Sequence, residues 1–488
     1  MTINKRVGLR FVILGLLLFV SISNSKGQEE SKKVFIHYMG WFGPNSYGRH
    51  WIDGQPREPI IGYYDSRDWS TQLYHILLSW SCGIDGLVIN VKDSYDEKSL
   101  KILNSTFERI LQIDHGFNFQ YAVSYDDQGM NSIEDAVEAF SYLKNNLLPN
   151  TNSYLLYQNE PVVFVWNYGG YLSSSDYRQA LDNVFTGSEP KMIWNEIDES
   201  VAQDVNSFYP WVQGFADDGS NWGNNYLSWF YNTIGGKTTL DFATGGVWAG
   251  FDERSCSWGY QERWIDRKDG EIYDNTWAYV MNYQGQLPLK WVIIETWNDW
   301  NEGTEIEPSK ELGFQYLKQT IAKVNSFKST LINTDEYNFQ AATKIYEAGL
   351  SIENLERDSV IYYPLIKRAI LSFIKNNCSG SIASSDSIIQ GLLTGVTDHG
   401  ISENNLKLDV YPNPSTSDVN LHFTLKETTG VRIDILDING CWVETIYSGL
   451  LQAGNNSINW KPVDLKNGVY FCTLKTKDNK QFTKVILY

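Results

Sequence analysis

The chain has 488 residues, of which 42% are hydrophobic and 20% charged, a composition typical of a folded globular protein. Its 58 acidic and 40 basic residues give a formal net charge of −18. Because such a surface repels phosphate groups, the composition disfavours nucleic acid and anionic membranes as partners. At about 100–200 residues per domain, the length predicts two to four domains.

The first residues have the pattern of an export signal. Three basic residues precede the apolar run Phe11–Val20, and small residues follow it up to Gly27. This order predicts a signal peptide over residues 1–27. The apolar run is short for a membrane span, so we expect an exported protein without membrane insertion.

Between residues 33 and 326, short apolar runs alternate with helix-like segments. Such runs are expected of parallel strands covered on both faces. The runs are Val34–Tyr38, Gly86–Val91, Phe119–Ser124, Pro161–Trp166, Lys191–Asn195, Trp211–Phe215, Thr244–Val247 and Trp291–Trp297. The helix-like segments are Ser70–Ser81, Ser99–Asp114, Ile133–Asn146, Ser175–Phe185 and Gly313–Val324. This α/β pattern predicts a (β/α)8 TIM-type barrel with catalytic residues at the C-terminal ends of its strands.

Residues 327–402 predict a small helical spacer and a linker. Ala341–Leu350 and Asp358–Asn376 have apolar residues near helical spacing. The Ser-rich stretch Ser379–Ser387 indicates a linker.

Residues 403–488 change to short alternating strands separated by turn residues. Val431–Leu436 and Cys441–Ile446 flank Asn439–Gly440, which predicts a hairpin. The region as a whole predicts an all-β, immunoglobulin-like sandwich.

Four motifs in this tail resemble the C-terminal sorting domain of the type IX (Por) secretion system. They are Tyr411–Pro414, Asp437–Gly440, Asn467–Phe471 and Lys484–Ile486. The resemblance implies that the type IX machinery is a partner and exports the protein through the periplasm and outer membrane, to be released or attached to the surface. An ordinary immunoglobulin-like binding module is the alternative.

The densest polar and aromatic cluster, Glu295–Pro308, follows the last predicted strand. Within it, Asp299 and Glu302 are three residues apart and would lie side by side on a turn. Glycosidic cleavage normally uses two carboxyl groups, one of which protonates the leaving oxygen. Packing between Trp297 and Trp300 would raise the pKa of at least one carboxyl, and the indoles would stack on sugar rings. The alternative is a surface turn whose indoles fill the barrel rim.

The run Asn298–Pro308 resembles the closing motif of the glycoside hydrolase family 71 and family 99 group. Other segments are similar too: His37–Gly43, Trp51, Gly83–Asn90, and Thr244–Gly246 through Asp252 to Gly270–Tyr273. The resemblance spans about residues 33–325. It implies a (β/α)8 barrel without a metal cofactor, acting either as a retaining endo-α-mannosidase (family 99) or as an inverting endo-α-1,3-glucanase (family 71).

The resemblance also implies the roles of the two carboxyl groups. Glu302 would be the general acid and Asp299 its partner. In family 99 the partner position is Glu, which deprotonates the sugar 2-hydroxyl, whereas Asp is the residue of family 71. Because Glu302–Pro308 is closer to family 99, the sugar and the stereochemistry stay open.

Further substrate-binding candidates lie in these motifs or after predicted strands. They are Tyr38, Trp41, Asp126, Trp248, Asp252, Tyr273, Trp297, Asn298 and Trp300. For each there is a structural alternative, since barrel aromatics commonly fill the core and acidic residues after strands commonly cap helices. The same ambiguity applies to Asp127, Asn195–Glu196 and Asp217–Asp218.

The sequence thus predicts a secreted, endo-acting glycosidase that degrades an α-linked polysaccharide with Asp299 and Glu302. The six His and five Cys are scattered, with no CxxC and no close His pair, so neither a metal site nor another cofactor is expected. One alternative is a non-catalytic carbohydrate-binding protein on a barrel. Another is a polysaccharide lyase, whose cations would come from Arg49, His50, Arg254 and Arg263.

Overall fold

A computed structural model describes most of the chain. The described residues are 31–43, 50–91, 94–126, 130–148, 153–166, 172–187, 189–195, 207–213, 221–236, 240, 242–353, 359–393, 408–436, 442–463, 465–477 and 480–488. The predicted signal peptide lies outside these residues, as does the predicted Asn439–Gly440 turn. No helix within the described ranges is long and apolar enough to cross a membrane.

Eight parallel strands form the barrel sheet of the larger unit, and the short strand Leu156–Tyr157 adds to it by pairing antiparallel with one of them. The eight are β1 (Lys33–Tyr38), β2 (Gly86–Val91), β3 (Gln120–Asp126), β4 (Glu160–Trp166), β5 (Lys191–Trp194), β6 (Ser207–Phe208), β7 (Ala243–Val247) and β8 (Leu289–Ile294). Their order is β6-β5-β4-β3-β2-β1-β8-β7, so the two ends of the sheet are strands consecutive in the chain. Ser207 Oγ of β6 lies 2.9 Å from Thr244 Oγ1 of β7, which brings these ends together into a nearly closed barrel.

In the described part of the chain, helices follow seven of the strands and cover the outside of the barrel. They are α1 (Trp69–Ser81), α2 (Ser94–Ile113), α3 (Ile133–Tyr142), α4 (Ser174–Val184), α5 (Asn224–Gly235), α6 (Glu271–Tyr283) and α7 (Gln315–Lys328). Local sequence begins two of them: the side chains of Ser132 and Ser173 cap α3 and α4 by accepting a bond from the third residue of the helix. The alternation confirms the predicted (β/α)8 barrel.

Side chains of the barrel strands alternate between two apolar clusters. Residues such as Val34, Ile36, Val292 and Ile294 pack outward against the helices. Their neighbours along the strands fill the barrel interior: Phe35, Val88, Ala122, Phe164, Ile193, Tyr209, Trp291 and Ile293. This period of two fixes which residue of each strand faces the barrel axis at its C-terminal end.

The sixth strand was predicted in the wrong place. Trp211–Phe215 was expected, but the strand is Ser207–Phe208, and residues 214–215 lie outside the described part of the chain. The N–H of Tyr209 still donates to the carbonyl of Trp194 at 2.8 Å, but Pro210, the next residue, has no N–H to donate, so the ladder ends before the apolar run begins.

Three further helices pack against the barrel unit: α8 (Glu336–Glu353), α9 (Ser359–Ile374) and α10 (Cys378–Leu393). Their buried side chains belong to the same apolar cluster as the outer face of the barrel. Glu353 at the end of α8 also accepts bonds from the backbone N–H (3.2 Å) and the hydroxyl (2.5 Å) of Ser70 in α1.

The Ser-rich stretch 379–387 is part of helix α10 and not the linker that its composition indicates. Ser384 and Ser387 donate their hydroxyls to carbonyls four residues earlier, at 2.8 and 2.7 Å, so these serines satisfy their polar groups within the helix. Buried Ile388 and half-buried Ile382 supply its apolar face.

The C-terminal residues form a separate all-β unit with its own apolar cluster. One antiparallel sheet contains β9 (Leu408–Tyr411), β10 (Val419–Leu425) and β13 (Gly454–Trp460). The other contains β11 (Thr429–Leu436), β12 (Trp442–Leu451), β14 (Gly468–Lys475) and β15 (Lys480–Leu487). The predicted all-β tail is confirmed, and its immunoglobulin-like type stays a prediction.

Candidate active site

The segment after β8 folds into a turn that brings Asp299 and Glu302 together. The backbone N–H of Glu302 donates to Asp299 Oδ1 at 3.0 Å, and the N–H of Asp299 donates to Thr296 Oγ1 at 3.1 Å. Gly303 has φ +60°, and a Cβ there would lie 3.0 Å from the carbonyl oxygen of Asp252, so the close turn favours glycine. The turn stands at the C-terminal end of the barrel, where the sequence predicts the catalytic residues.

The surroundings of Asp299 and Glu302 favour the protonated forms of these two carboxyl groups. Asp299 is 4% exposed and Glu302 is partly buried. Burial is the main cause that raises the pKa of Glu302 well above its usual value, and the charge of Asp299 adds to it. Glu253 and Asp126 raise the pKa of Glu302 further, whereas Arg263 lowers it. Burial likewise raises the pKa of Asp299, so at least one member of the pair holds a proton near neutral pH.

The next acidic residue of the motif, Glu305, has a structural role. Its carboxylate accepts bonds from Arg57 at 2.5 and 3.1 Å, and Arg267 Nη2 lies 3.2 Å away. Both arginines also donate to the carbonyl of Gly303. This buried ion network fixes the backbone just after Glu302.

Glu307 completes the support of the turn from the other side. It accepts bonds from Tyr64 Oη at 2.8 Å and Trp300 Nε1 at 3.1 Å, and lies 3.0 Å from His75 Nε2. His75 in turn contacts Tyr38 Oη at 3.1 Å. The acidic residues of the motif therefore have different roles: Glu305 and Glu307 hold the turn, whereas neither Asp299 nor Glu302 forms an ion pair in the described part of the chain.

Trp297 and Trp300 do not flank the carboxyl pair as sugar-stacking platforms. Both indoles are completely buried. Trp297 packs 5.7 Å from the ring of His75, and Trp300 lies in a cluster with Met39, Phe42 and Tyr64. Their faces are covered because the segment after β8 folds back on the segment after β1.

Asn298 and Tyr38 belong to the same support. Asn298 accepts a bond from the backbone N–H of Met39 at 2.8 Å and donates to its carbonyl at 2.9 Å. Tyr38 is 1% exposed and bonded to His75, as described above. Both residues join segments that are far apart in the chain, and neither presents its polar group to solvent.

Trp248 and Tyr273 also lie in the interior. Trp248 is buried, donates from Nε1 to the carbonyl of Trp222 at 3.0 Å, and packs against Gly223. Tyr273 of α6 contacts Thr320 Oγ1 of α7 at 2.9 Å, between two outer helices. These two aromatic candidates therefore support the core, and Tyr273 is remote from the barrel axis.

Three other candidates lie at the same end of the barrel as the turn. Asp126 ends β3 and acts electrostatically on Glu302. Asp252 donates its backbone N–H to the carbonyl of Glu302 at 2.6 Å, while its carboxylate accepts two bonds from Arg254. Trp41 is partly buried and packs 5.2 Å from the ring of His50.

Several weaker candidates fall outside the described residues: Asp127, Glu196, Asp217, Asp218 and Arg49. The three described basic side chains that a lyase would use lie next to carboxylates. His50 lies 3.1 Å from Asp53, Arg254 is 2.8 Å from Asp252, and Arg263 is 3.3 Å from Glu253.

A polar layer lies directly above the apolar filling of the barrel; the sequence analysis pointed to two of its residues, His37 and Asn195, but not to the layer. It consists of inward-facing residues at the C-terminal ends of five strands: His37, Asn90, Ser124, Asn195 and Glu295. All five are more than nine-tenths buried. The sequence could have indicated this layer, because each of its residues lies two positions after a strand residue that fills the barrel interior.

No cluster of three or more His, Cys, Asp or Glu side chains in the described part of the chain could hold a metal ion.

Two family descriptions match parts of the chain. The secretion system C-terminal sorting domain matches residues 409–488, and a domain of unknown function, DUF5010, matches residues 147–343. The first match confirms the predicted sorting domain and places the protein among those that the type IX system exports from the cell or attaches to its surface. No curated protein matches the chain.

The chain is also similar to solved glycoside hydrolase structures. The GH99 endo-alpha-mannosidase from Bacteroides thetaiotaomicron in complex with Bis-Tris propane has a TM-score of 0.49 and 17% identity, over 61% of this chain and 97% of that one. A second structure of that enzyme has a TM-score of 0.46 with the same identity and coverage. A glycoside hydrolase-like protein has a TM-score of 0.47 and 16% identity, over 60% of this chain and 94% of its own. Two of these three structures thus carry the name of a family that the sequence motifs resemble.

Proposed function

We propose that the protein is an exported glycoside hydrolase that uses Asp299 and Glu302 to cleave a polysaccharide. The observation that carries the proposal is the turn after β8, which holds two carboxyl groups with raised pKa at the C-terminal end of a (β/α)8 barrel. Active sites of such barrels lie at this end. The sorting domain at residues 409–488 adds that the substrate is met outside the cell.

In this mechanism Glu302 is the general acid. Its raised pKa keeps the proton until the glycosidic C–O bond begins to break, and the proton then passes to the leaving oxygen. Asp299, held by the backbone of the same turn, acts on the anomeric side. In one route Asp299 deprotonates the sugar 2-hydroxyl, and the 2-oxygen bonds to the anomeric carbon as the leaving oxygen departs. Water, deprotonated by the Glu302 carboxylate, then opens this epoxide-like intermediate while Asp299 returns its proton to the 2-oxygen, which gives retention. In the other route Asp299 deprotonates a water that attacks the anomeric carbon directly, which gives inversion.

The α-linkage and endo action are the finer part of the proposal. They rest on the motifs that resemble families 71 and 99. The barrel unit is also rich in aromatic residues: 16 of the 18 Trp residues of the chain precede residue 327. Partly buried aromatics such as Trp41 and Trp211 are suited to contact a chain of several sugars.

The test is to incubate the purified full-length protein with α-mannans, α-glucans and uronate-containing polysaccharides. Products are identified by mass, and the anomer first released is identified by NMR. Hydrolysis products from a neutral α-glycan support the proposal, and internal cleavage shows as a ladder of oligosaccharides. Unsaturated products from a uronate polymer would instead establish a lyase. Binding without cleavage, at any enzyme concentration, would establish a non-catalytic carbohydrate-binding protein.

A further inference from the structure

Glu295 is a buried carboxyl group directly beneath the proposed catalytic pair. It is 2% exposed and follows Ile294, the last residue of β8, whose neighbour Ile293 fills the barrel interior. Strand alternation therefore turns Glu295 toward the barrel axis. It is the third carboxyl group within eight residues, and the mechanism above does not use it.

The contacts of Glu295 leave one carboxyl oxygen unused. Oε2 accepts a bond from the backbone N–H of Val212 at 3.2 Å. Oε1 is buried and has no hydrogen-bond partner in the part of the chain that the structure describes. Glu305, ten residues later, differs because two arginines bind its carboxylate, whereas Glu295 contacts no cation among the described residues. A buried polar atom without a partner costs free energy unless a ligand or water satisfies it.

The neighbourhood favours the protonated form of Glu295. Burial raises its pKa well above the usual range, and the charges of Glu302 and Asp299 raise it further. Since Oε2 already accepts the Val212 N–H, the proton is best held on Oε1. Glu295 then offers a hydrogen-bond donor toward the site.

A second unpartnered group lies beside Glu295. The parallel register pairs Ile36 of β1 with Ile294 of β8, so His37 and Glu295 are the next residues of these two neighbouring strands. His37 is 1% exposed, and neither ring nitrogen has a partner among the described residues. Burial lowers the pKa of His37 to about 3, so the ring is neutral. The neutral imidazole can accept or donate a hydrogen bond.

We propose that Glu295 is a substrate-binding residue that donates a hydrogen bond from Oε1 to a hydroxyl of the sugar unit bound beside Asp299 and Glu302. This inference rests on the proposed function. Protonated Glu295 and neutral His37 together make the floor of the site complementary to an uncharged polyhydroxylated ring. An anionic sugar would bring its charge next to the carboxylate of Asp299, which acts as the base, so the sugar unit cleaved is a neutral one.

The test separates a neutral donor from a carboxylate and from a purely structural group. Glu295→Gln retains an acceptor for the Val212 N–H and supplies an amide donor in place of the acid. We expect kcat/KM within about threefold of the wild type. Glu295→Met has a similar length but neither donor nor acceptor, and should lower kcat/KM by about 5- to 150-fold, the cost of leaving a buried hydroxyl unpaired. Glu160→Gln, at the opposite end of the barrel in an ion pair with Lys191, is the matched control.

Monodeoxy substrates identify the contact. One position of deoxygenation should weaken the wild type but cause no further loss in Glu295→Met, because both changes remove the same hydrogen bond. Full activity of both Glu295 variants would overturn the proposal. So would a loss in Glu295→Gln as large as that in Glu295→Met, because the group would then work as a carboxylate. A lower unfolding midpoint in Glu295→Met with unchanged kcat/KM would show a structural role only.

Failure of the proposed function is distinguishable from failure of this inference. If the wild type cleaves no glycan, the glycosidase proposal fails, and binding of methyl α-mannoside and methyl α-glucoside to the same variants decides the role of Glu295. Weaker binding by Glu295→Met but not by Glu295→Gln would support the contact. Equal binding by all variants, or none by the wild type, would reject it.

Discussion

Replacing Glu302 by Gln should remove the catalytic proton and leave the turn intact. The backbone bonds of Glu302, from its N–H to Asp299 and from Asp252 to its carbonyl, do not involve the side chain that changes. Gln has nearly the same shape but does not titrate. We therefore expect kcat on a natural glycan to fall by about 10²–10⁴, the usual contribution of a general acid, which corresponds to about 3–5 kcal/mol of transition-state stabilisation.

The assay compares two substrates that differ only in their leaving group. An aryl glycoside with an acidic phenol needs little protonation, so Glu302→Gln should retain most of its rate on that substrate. A carbohydrate leaving group needs the proton, so the full loss appears there. Glu311→Gln is the matched control, because Glu311 is an exposed carboxyl nine residues along the same segment.

Asp299→Asn should respond differently. If Asp299 works on the anomeric side, a better leaving group does not restore the rate of this variant. The reasoning about the pair would be refuted by full activity of Glu302→Gln on the natural glycan. It would also be refuted by equal losses of Glu302→Gln on both substrates with an unchanged unfolding midpoint, since the group would then not supply the leaving-group proton.

Three further predictions follow from the charges and clusters of the structure. Glu253→Gln removes a negative charge and should lower the pKa of Glu302. Since activity requires protonated Glu302, the rate should begin to fall at a lower pH than in the wild type. An unchanged alkaline side of the pH–rate profile would contradict the electrostatic assignment. Glu305→Gln leaves two largely buried arginines without their carboxylate and should destabilise the protein by about 3–5 kcal/mol in urea unfolding, whereas Glu336→Gln at an exposed pair should be neutral. Deleting residues 403–488 should abolish export. Glycan cleavage by the purified remainder should be unchanged, because the tail has its own apolar cluster. Loss of activity in a folded remainder would contradict this independence of the tail.

The amino-acid sequence by itself determined the elements whose signal is local. Apolar runs bounded by polar residues predicted the barrel strands, and seven of the eight overlap the observed ones. The three-residue spacing of Asp299 and Glu302 predicted that one turn would hold both. The tail motifs predicted the sorting domain, because each is a short local run and the four occur together in order. Where a local signal was weak, as at Ser207–Phe208, the prediction moved to the more apolar neighbouring run.

Only the tertiary structure decided which side chains of the closing motif are free to meet a substrate. Trp297, Trp300 and Asn298 are buried by groups from the segment after β1 and from α1, more than 200 residues away in the chain. The sequence likewise does not reveal that Glu305 meets Arg57 and Arg267 whereas Glu295 meets no cation among the described residues. Burial and the charge state of a carboxyl depend on the partners that folding brings to it, and those partners are remote in sequence.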